Sequence, residues 1–406
     1  MIFRILLILF YLISASFAKG IPYKAYKLFQ VQSVDQSVRA YFLVHNPAHN
    51  ALTKVAIYAD ALEWTVGSQN FRIPIPKDYL YFVASPGKKY IGFVYQKKSP
   101  GKTEPGQLEI AIVDDTGVVF PAIRFPHYFD EPFPAFAISD REGASVLGQA
   151  TTGTLWFYDS NGRLLREVDL FQDDDYALER SLQIAVAGDG GRVAVLATKQ
   201  PASPTNSGVS APSGQPTLFL FDINGEKIWQ HLLPQTSGGS VAISPNGKHI
   251  FVSCYSSDLS GKIARSTVLF DDSGNEQAEY DLLFRKAHFS PDGTRAVLID
   301  NHIATQINLV STRKVWQFKT PKPEILTDAR LSAGGQIAVL LSAKNEFRDG
   351  KFVFEEPRII ILQNDGTIRQ SLNASGTFYQ PAISLSRDAH SIYLGLLESF
   401  RTYSTE

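Results

Sequence analysis

Short apolar runs of five to seven residues, broken by Gly, Asn, Asp, Ser and Pro, fill nearly the whole chain, and helical periodicity is almost absent. The stretch AHFSPDGTRAVLID (287–300) shows the plan, with a Ser-Pro-Asp-Gly corner between two such runs. Its nearest relative is SVAISPNGKHIFVS (240–253). YFVASPGKKYIGFVY (81–95), AFAISDREGASVLGQA (135–150), QIAVAGDGGRVAVLA (183–197), DARLSAGGQIAVLLS (328–342) and AISLSRDAHSIYLGL (382–396) follow the same plan. FQVQSVDQSVRAYFLV (29–44) extends it weakly towards the start. Taking Ser33, Ser85, Ser139, Gly188, Ser244, Ser290, Ser332 and Ser384 as markers, the spacings are 52, 54, 49, 56, 46, 42 and 52 residues.

A second corner follows each of the middle ones, as in TLWFYDSNGRLLRE (154–167), TLFLFDINGEKIWQ (217–230) and TVLFDDSGNEQAEY (267–280). Asn-Gly, Asp-Gly and Ser-Gly between β-rich runs are hairpin turns, because glycine takes the positive φ that such turns need. Each unit therefore predicts two hairpins, or four antiparallel strands. Four-stranded units repeated every 40–55 residues predict an all-β fold, a β-propeller of four-stranded antiparallel blades. A small sheet cannot bury both faces alone, and radial stacking buries them while leaving only short edges. The markers give eight blades, or seven if the weak first repeat is not one. Ring closure pairs the two ends of the chain, and IPYKAY (21–26) is the segment expected to complete the last blade. On this reading Asp292 is turn punctuation and not a catalytic acid, since Asp in a tight turn bonds its own backbone.

The Ser-Pro-Asp-Gly hairpins resemble those of WD-type and related bacterial propeller repeats. FDINGEKIWQ (221–230) and NLVSTRKVWQF (308–318) are similar to the ends of quinoprotein-like repeats, where a tryptophan docks neighbouring blades. The resemblance covers nearly the whole chain after its leader and implies the fold. Trp229, Trp316 and Trp64 are the candidate docking tryptophans, so most blades depart from that pattern. The quinone-dependent dehydrogenases of that superfamily use a pair of adjacent cysteines. Cys254 is the only cysteine, so the cofactor is not carried over and none is expected.

Strand alternation sorts the connections. First and third turns of every blade share one face; second turns and blade-to-blade links share the other. The first set is short and uniform. The second holds 96–107, 199–216, 254–266 and 342–357, read as long irregular loops, together with the links 124–134 and 170–180. Binding loops use the freedom that a scaffold gives its insertions, so a protein or peptide partner is expected on that face.

Composition narrows the classes. With 39 Lys and Arg against 40 Asp and Glu, the net charge of −1 gives no electrostatic footprint for nucleic acid or an anionic membrane. The first 18 residues read as a secretory signal peptide: Arg4, an apolar run from Ile5 to Ile13, and small Ser16 and Ala18 before the cut. Residues 19–406 are then one propeller domain, secreted or periplasmic, with no later span long enough for a bilayer. One cysteine allows no internal disulfide, and 388 residues bury enough core without one.

Local chemistry is sparse. Asp173, Asp174 and Asp175 form the densest acidic run; they could take Ca²⁺, but no EF-hand spacing accompanies them, and a solvated loop is the favoured reading. Tyr128, Phe129, Asp130 and Glu131 combine rings with carboxylates as a binding face would, while the surrounding prolines favour a stiff packed link. Asn373-Ala-Ser375 is a glycosylation sequon. No nucleophile elbow or phosphate loop is present. The inner strands AHFS (287–290), VAIS (241–244), ARLS (329–332), AFAIS (135–139) and PAISLS (381–386) are mostly small and apolar, with His288 and Arg330 as exceptions. That pattern favours a non-catalytic binding scaffold. The alternative is an enzyme of lactonase, lyase or hydrolase type, which would gather single polar residues from several blades at the channel mouth.

Overall fold

The burial of each strand follows its distance from the central axis. In blade 4 the first strand, Ser181–Val186, is half-buried, while the second, Val193–Thr198, is buried at every position. The third, Pro216–Phe221, is almost as buried, and the fourth, Lys227–Leu232, is mostly exposed. The two middle strands carry continuous apolar runs because neighbouring blades cover both of their faces. A strand buried on one face alone would alternate.

The computed structural model describes residues 24–405 apart from 35–37, 47–50, 67–68, 76–78, 100, 102, 119, 129, 172–180, 199–214, 258–262 and 349. Those residues form eight antiparallel sheets. In chain order the blades span 40–74, 79–127, 135–169, 181–232, 237–280, 286–319, 324–378 and 383–404. Seven have four strands, and blade 7 has a short fifth, Thr377–Phe378. The first strands of successive blades pack side by side around a central channel, and clusters shared by adjacent blades form the core. The count is eight, and the seven-blade alternative falls.

Blade 8 is completed from the other end of the chain, since Lys27–Ser33 pairs antiparallel with Ser399–Ser404. Closure by the N-terminal segment is as expected, but the pairing strand is 27–33; of the expected 21–26, residues 24–26 lead into it and 21–23 lie outside the described residues. Ser33 therefore marks no first turn; it ends a rim strand, and blade 1 begins at Ala40. Tyr26 anchors the entry: its N–H donates to Gln370 Oε1 (2.8 Å), Gln370 Nε2 donates to its carbonyl (2.8 Å), and its hydroxyl donates to Ala389 O.

The first turns explain the recurring serine. Ser244, Ser290, Ser332 and Ser386 each accept, at 2.9–3.0 Å, the backbone N–H five residues on. The serine of blade 8 is thus Ser386 and not Ser384, and in blade 4 its place is taken by Ala187 and not Gly188. Asp292 Oδ1 accepts from Ser290 Oγ (2.6 Å), and its Oδ2 accepts from Gly334 N in the next blade (2.9 Å). It is punctuation that also staples two blades.

The third turns carry a second link. Trp229 lies over Gly274 of blade 5 and donates from Nε1 to Asp272 O (3.0 Å). Trp316 lies against Gly366 of blade 7. Both dock a fourth strand onto the following blade, as the resemblance implied. Trp64 is on the third strand of blade 1 and fills the core shared with blade 2.

Candidate functional site

Three of the segments read as irregular loops begin and end as extensions of second and third strands. Blade 2 runs Tyr90–Lys98 into Gly106–Asp114, and blade 5 runs His249–Ser257 into Ile263–Asp271. Blade 7 goes furthest, with Ile337–Arg348 and Lys351–Gln363 paired up to Arg348↔Lys351. Backbone pairing carries into the ends of all three segments and, in blade 7, along nearly the whole of one. The 199–216 loop lies almost wholly outside the described residues.

The blade 7 hairpin presents Phe347 (65 % exposed) and Phe352 (59 % exposed), their rings edge to face at 5.0 Å. Charged pairs flank them: Arg348 with Glu346 and Glu355, and Lys344 with Glu356. Pairing of Phe354 with Phe378 and their stacked rings brace the base.

The 124–134 link divides its expected residues. Glu131 turns inward, accepting from Tyr128 N (3.0 Å) and Thr151 Oγ1 (3.2 Å). His127, stacked on Phe133 at 5.2 Å, is kept towards its neutral form by burial, against the pull of Glu131. Tyr128 and Asp130 face solvent, so these side chains do not converge on one pocket. Phe129 lies outside the described residues, as do Asp173, Asp174 and Asp175. Asn373 is exposed at the end of the fourth strand of blade 7. Among the described residues no group of three or more His, Cys, Asp and Glu side chains is placed to hold a metal, and no helix is long and apolar enough to cross a membrane.

The densest polar chemistry lies in the channel. Asp328, on the first strand of blade 7, accepts from Arg330 Nη1 (2.9 Å), and its Oδ1 lies 2.9 Å from His288 Nε2 of blade 6. Arg330 Nη1 is also 3.1 Å from His288 Nδ1. Lys286 Nζ donates to Thr327 O (3.0 Å), and Arg285 Nη2 to Leu326 O (2.7 Å). From across the ring comes Lys88 of blade 2, whose Nζ is 5.4 Å from the centre of the Phe42 ring. Burial would raise the Asp328 carboxyl, but Arg330 and His288 hold it far below the usual carboxylate range. Burial and the positive charge of Arg330 push the Lys88 ammonium down to about 8. Burial lowers His288 and Lys286 as well.

The inner-strand windows pointed to His288 and Arg330. Lys286 and Asp328 fall one residue outside those windows, and Lys88 comes from a turn. The channel is therefore charged, not lined only by small apolar groups. The first strands of blades 5 and 6, Ser237–Ile243 and Lys286–Phe289, are almost uniformly half-buried, so water reaches this wall.

Two solved structures share the architecture. The C-terminal WD40 domain of Sif2 is 10% identical with a TM-score of 0.55, over 93% of this chain and 99% of that one. The Dos1 propeller is 11% identical with a TM-score of 0.58, over 94% and 96%. At such identity the likeness is one of fold. No family model matches the sequence, and no curated protein matches it. The chain is an eight-bladed β-propeller of WD-repeat-like architecture.

Proposed function

We propose that this propeller is an exported, non-catalytic scaffold that holds a protein or peptide partner on the face of its second connections. The observation that carries the reading is the blade 7 hairpin, a braced two-stranded arm with two exposed phenylalanines at its end. Exposed aromatic anchors on a rigid element lose little entropy on binding and dominate recognition where they insert. The pattern of residues 1–18 supports export, with cutting after Ala18.

The test is chemical crosslinking in the exported fraction of the source cells, comparing the wild-type chain with F347S/F352S. Both side chains are exposed, so the variant should unfold at the wild-type temperature. The expected result is a partner crosslinked to the wild-type hairpin and recovered at least about tenfold less with the variant. A partner recovered equally with both, or a chain that keeps its leader and stays inside the cell, overturns the proposal.

A further inference from the structure

Lys88 occupies the fourth position of the first turn of blade 2, with a left-handed φ of 60°. The matching positions in other blades are Gly190, Gly247, Gly293 and Gly335, with Glu142 and Ala389 in the same conformation. Glycine suits that backbone best, and a lysine there tolerates some strain. What sets Lys88 apart is where its ammonium goes. It reaches over Phe42 of blade 1 into the channel, where the charges of Arg330, Asp328, Asp140 and Lys286 act on it.

Both carboxylates there already hold other partners. Asp140 accepts from Ser85 Oγ (2.5 Å) and Gly87 N (2.6 Å). Asp328 Oδ1 is taken by Arg330 and by Ala329 N (3.0 Å). Among the described residues Lys88 has no carboxylate within ion-pair distance, and Lys286 bonds only a carbonyl. Lys88, Lys286 and Arg330 thus stand against Asp140 and Asp328, a local excess of positive charge in a chain whose net charge is −1. Cations withdrawn from bulk water with too few counter-charges are costly, and an anion entering from the solvent-accessible side supplies that counter-charge where the low-dielectric walls strengthen it.

We propose that the channel binds a small anion bearing carboxylate or phosphate groups, held between Lys88 on one side and Lys286 and Arg330 on the other. This site is independent of the hairpin surface. Lys88 contributes a mobile point charge, and the guanidinium of Arg330, fixed by Asp328, offers planar donors.

Isothermal titration calorimetry on the mature chain, at constant ionic strength, tests it with inorganic phosphate and with citrate as probes. At least one should bind with a dissociation constant of about 1 mM or tighter, and which of them binds tells phosphate from polycarboxylate preference. K88Q should weaken that binding about tenfold or more, K88R should largely restore it, and K89Q, altering the exposed neighbouring lysine, should leave it unchanged. K286Q gives a second lesion in the same wall. Wild-type protein that binds neither probe, or K88Q and K89Q that behave alike, overturns the proposal.

Discussion

Glu109 shows how one residue ties three strands of a blade together. On the third strand of blade 2 it accepts from Lys97 Nζ (2.8 Å), Tyr95 OH (2.6 Å) and Arg124 Nε (3.0 Å). The Lys97 and Tyr95 bonds, with Arg124 behind them, outweigh burial and bring its carboxyl down to about 2. A carboxylate lowered on folding stabilises the protein fully above its unfolded value, near 4.5, and progressively less as pH falls towards 2. Lys97 and Arg124 are half in solvent, so screening limits the contribution to about 1 kcal/mol. E109Q should therefore lower the melting temperature at pH 7 by about 1 °C and narrow its gap to wild type as pH falls from 4.5 towards 2. Differential scanning calorimetry across that range measures both. At the other extreme Cys254 is inert: burial pushes its thiol up to about 12, and it only fills space.

At the scale of elements, the joint between blades rests on small residues opposite large ones. Gly366 has φ 83°, and a Cβ there would lie 2.5 Å from the Cβ of Trp316. G366A would meet both a backbone penalty and a clash, and should cost about 2–4 kcal/mol, read as a shift in urea midpoint with an unchanged slope. The third-turn glycines and the two docking tryptophans were legible in sequence because each sits at a fixed offset from a turn. The strand extensions of blades 2, 5 and 7 were not. Their polar residues match a loop in composition, and only the partner strand reveals that their backbone groups are paired.

For the whole molecule, the decisive feature is closure. Lys27–Ser33 is exposed along its length, yet it covers the edge formed by Ser399–Ser404. Starting the chain at Val38 should open the ring, lower the melting temperature by about 10 °C or more, and give concentration-dependent association through the bared edge. Calorimetry and size-exclusion chromatography check it, and an unchanged monomer would mean that packing between blades 8 and 1 suffices.

The sequence by itself determined the architecture. Turn residues and apolar runs act locally, and repeating them blade after blade leaves little choice of fold. It also determined the role of Asp292, since a turn that recurs is structure and not a site. The tertiary structure alone decided which end strand closes the ring, because the register of Lys27–Ser33 depends on an edge at the far end of the chain, Ser399–Ser404. It alone decided the channel chemistry too. Lys88, His288, Asp328 and Arg330 come from three blades, and only the curvature of the ring brings their charges together.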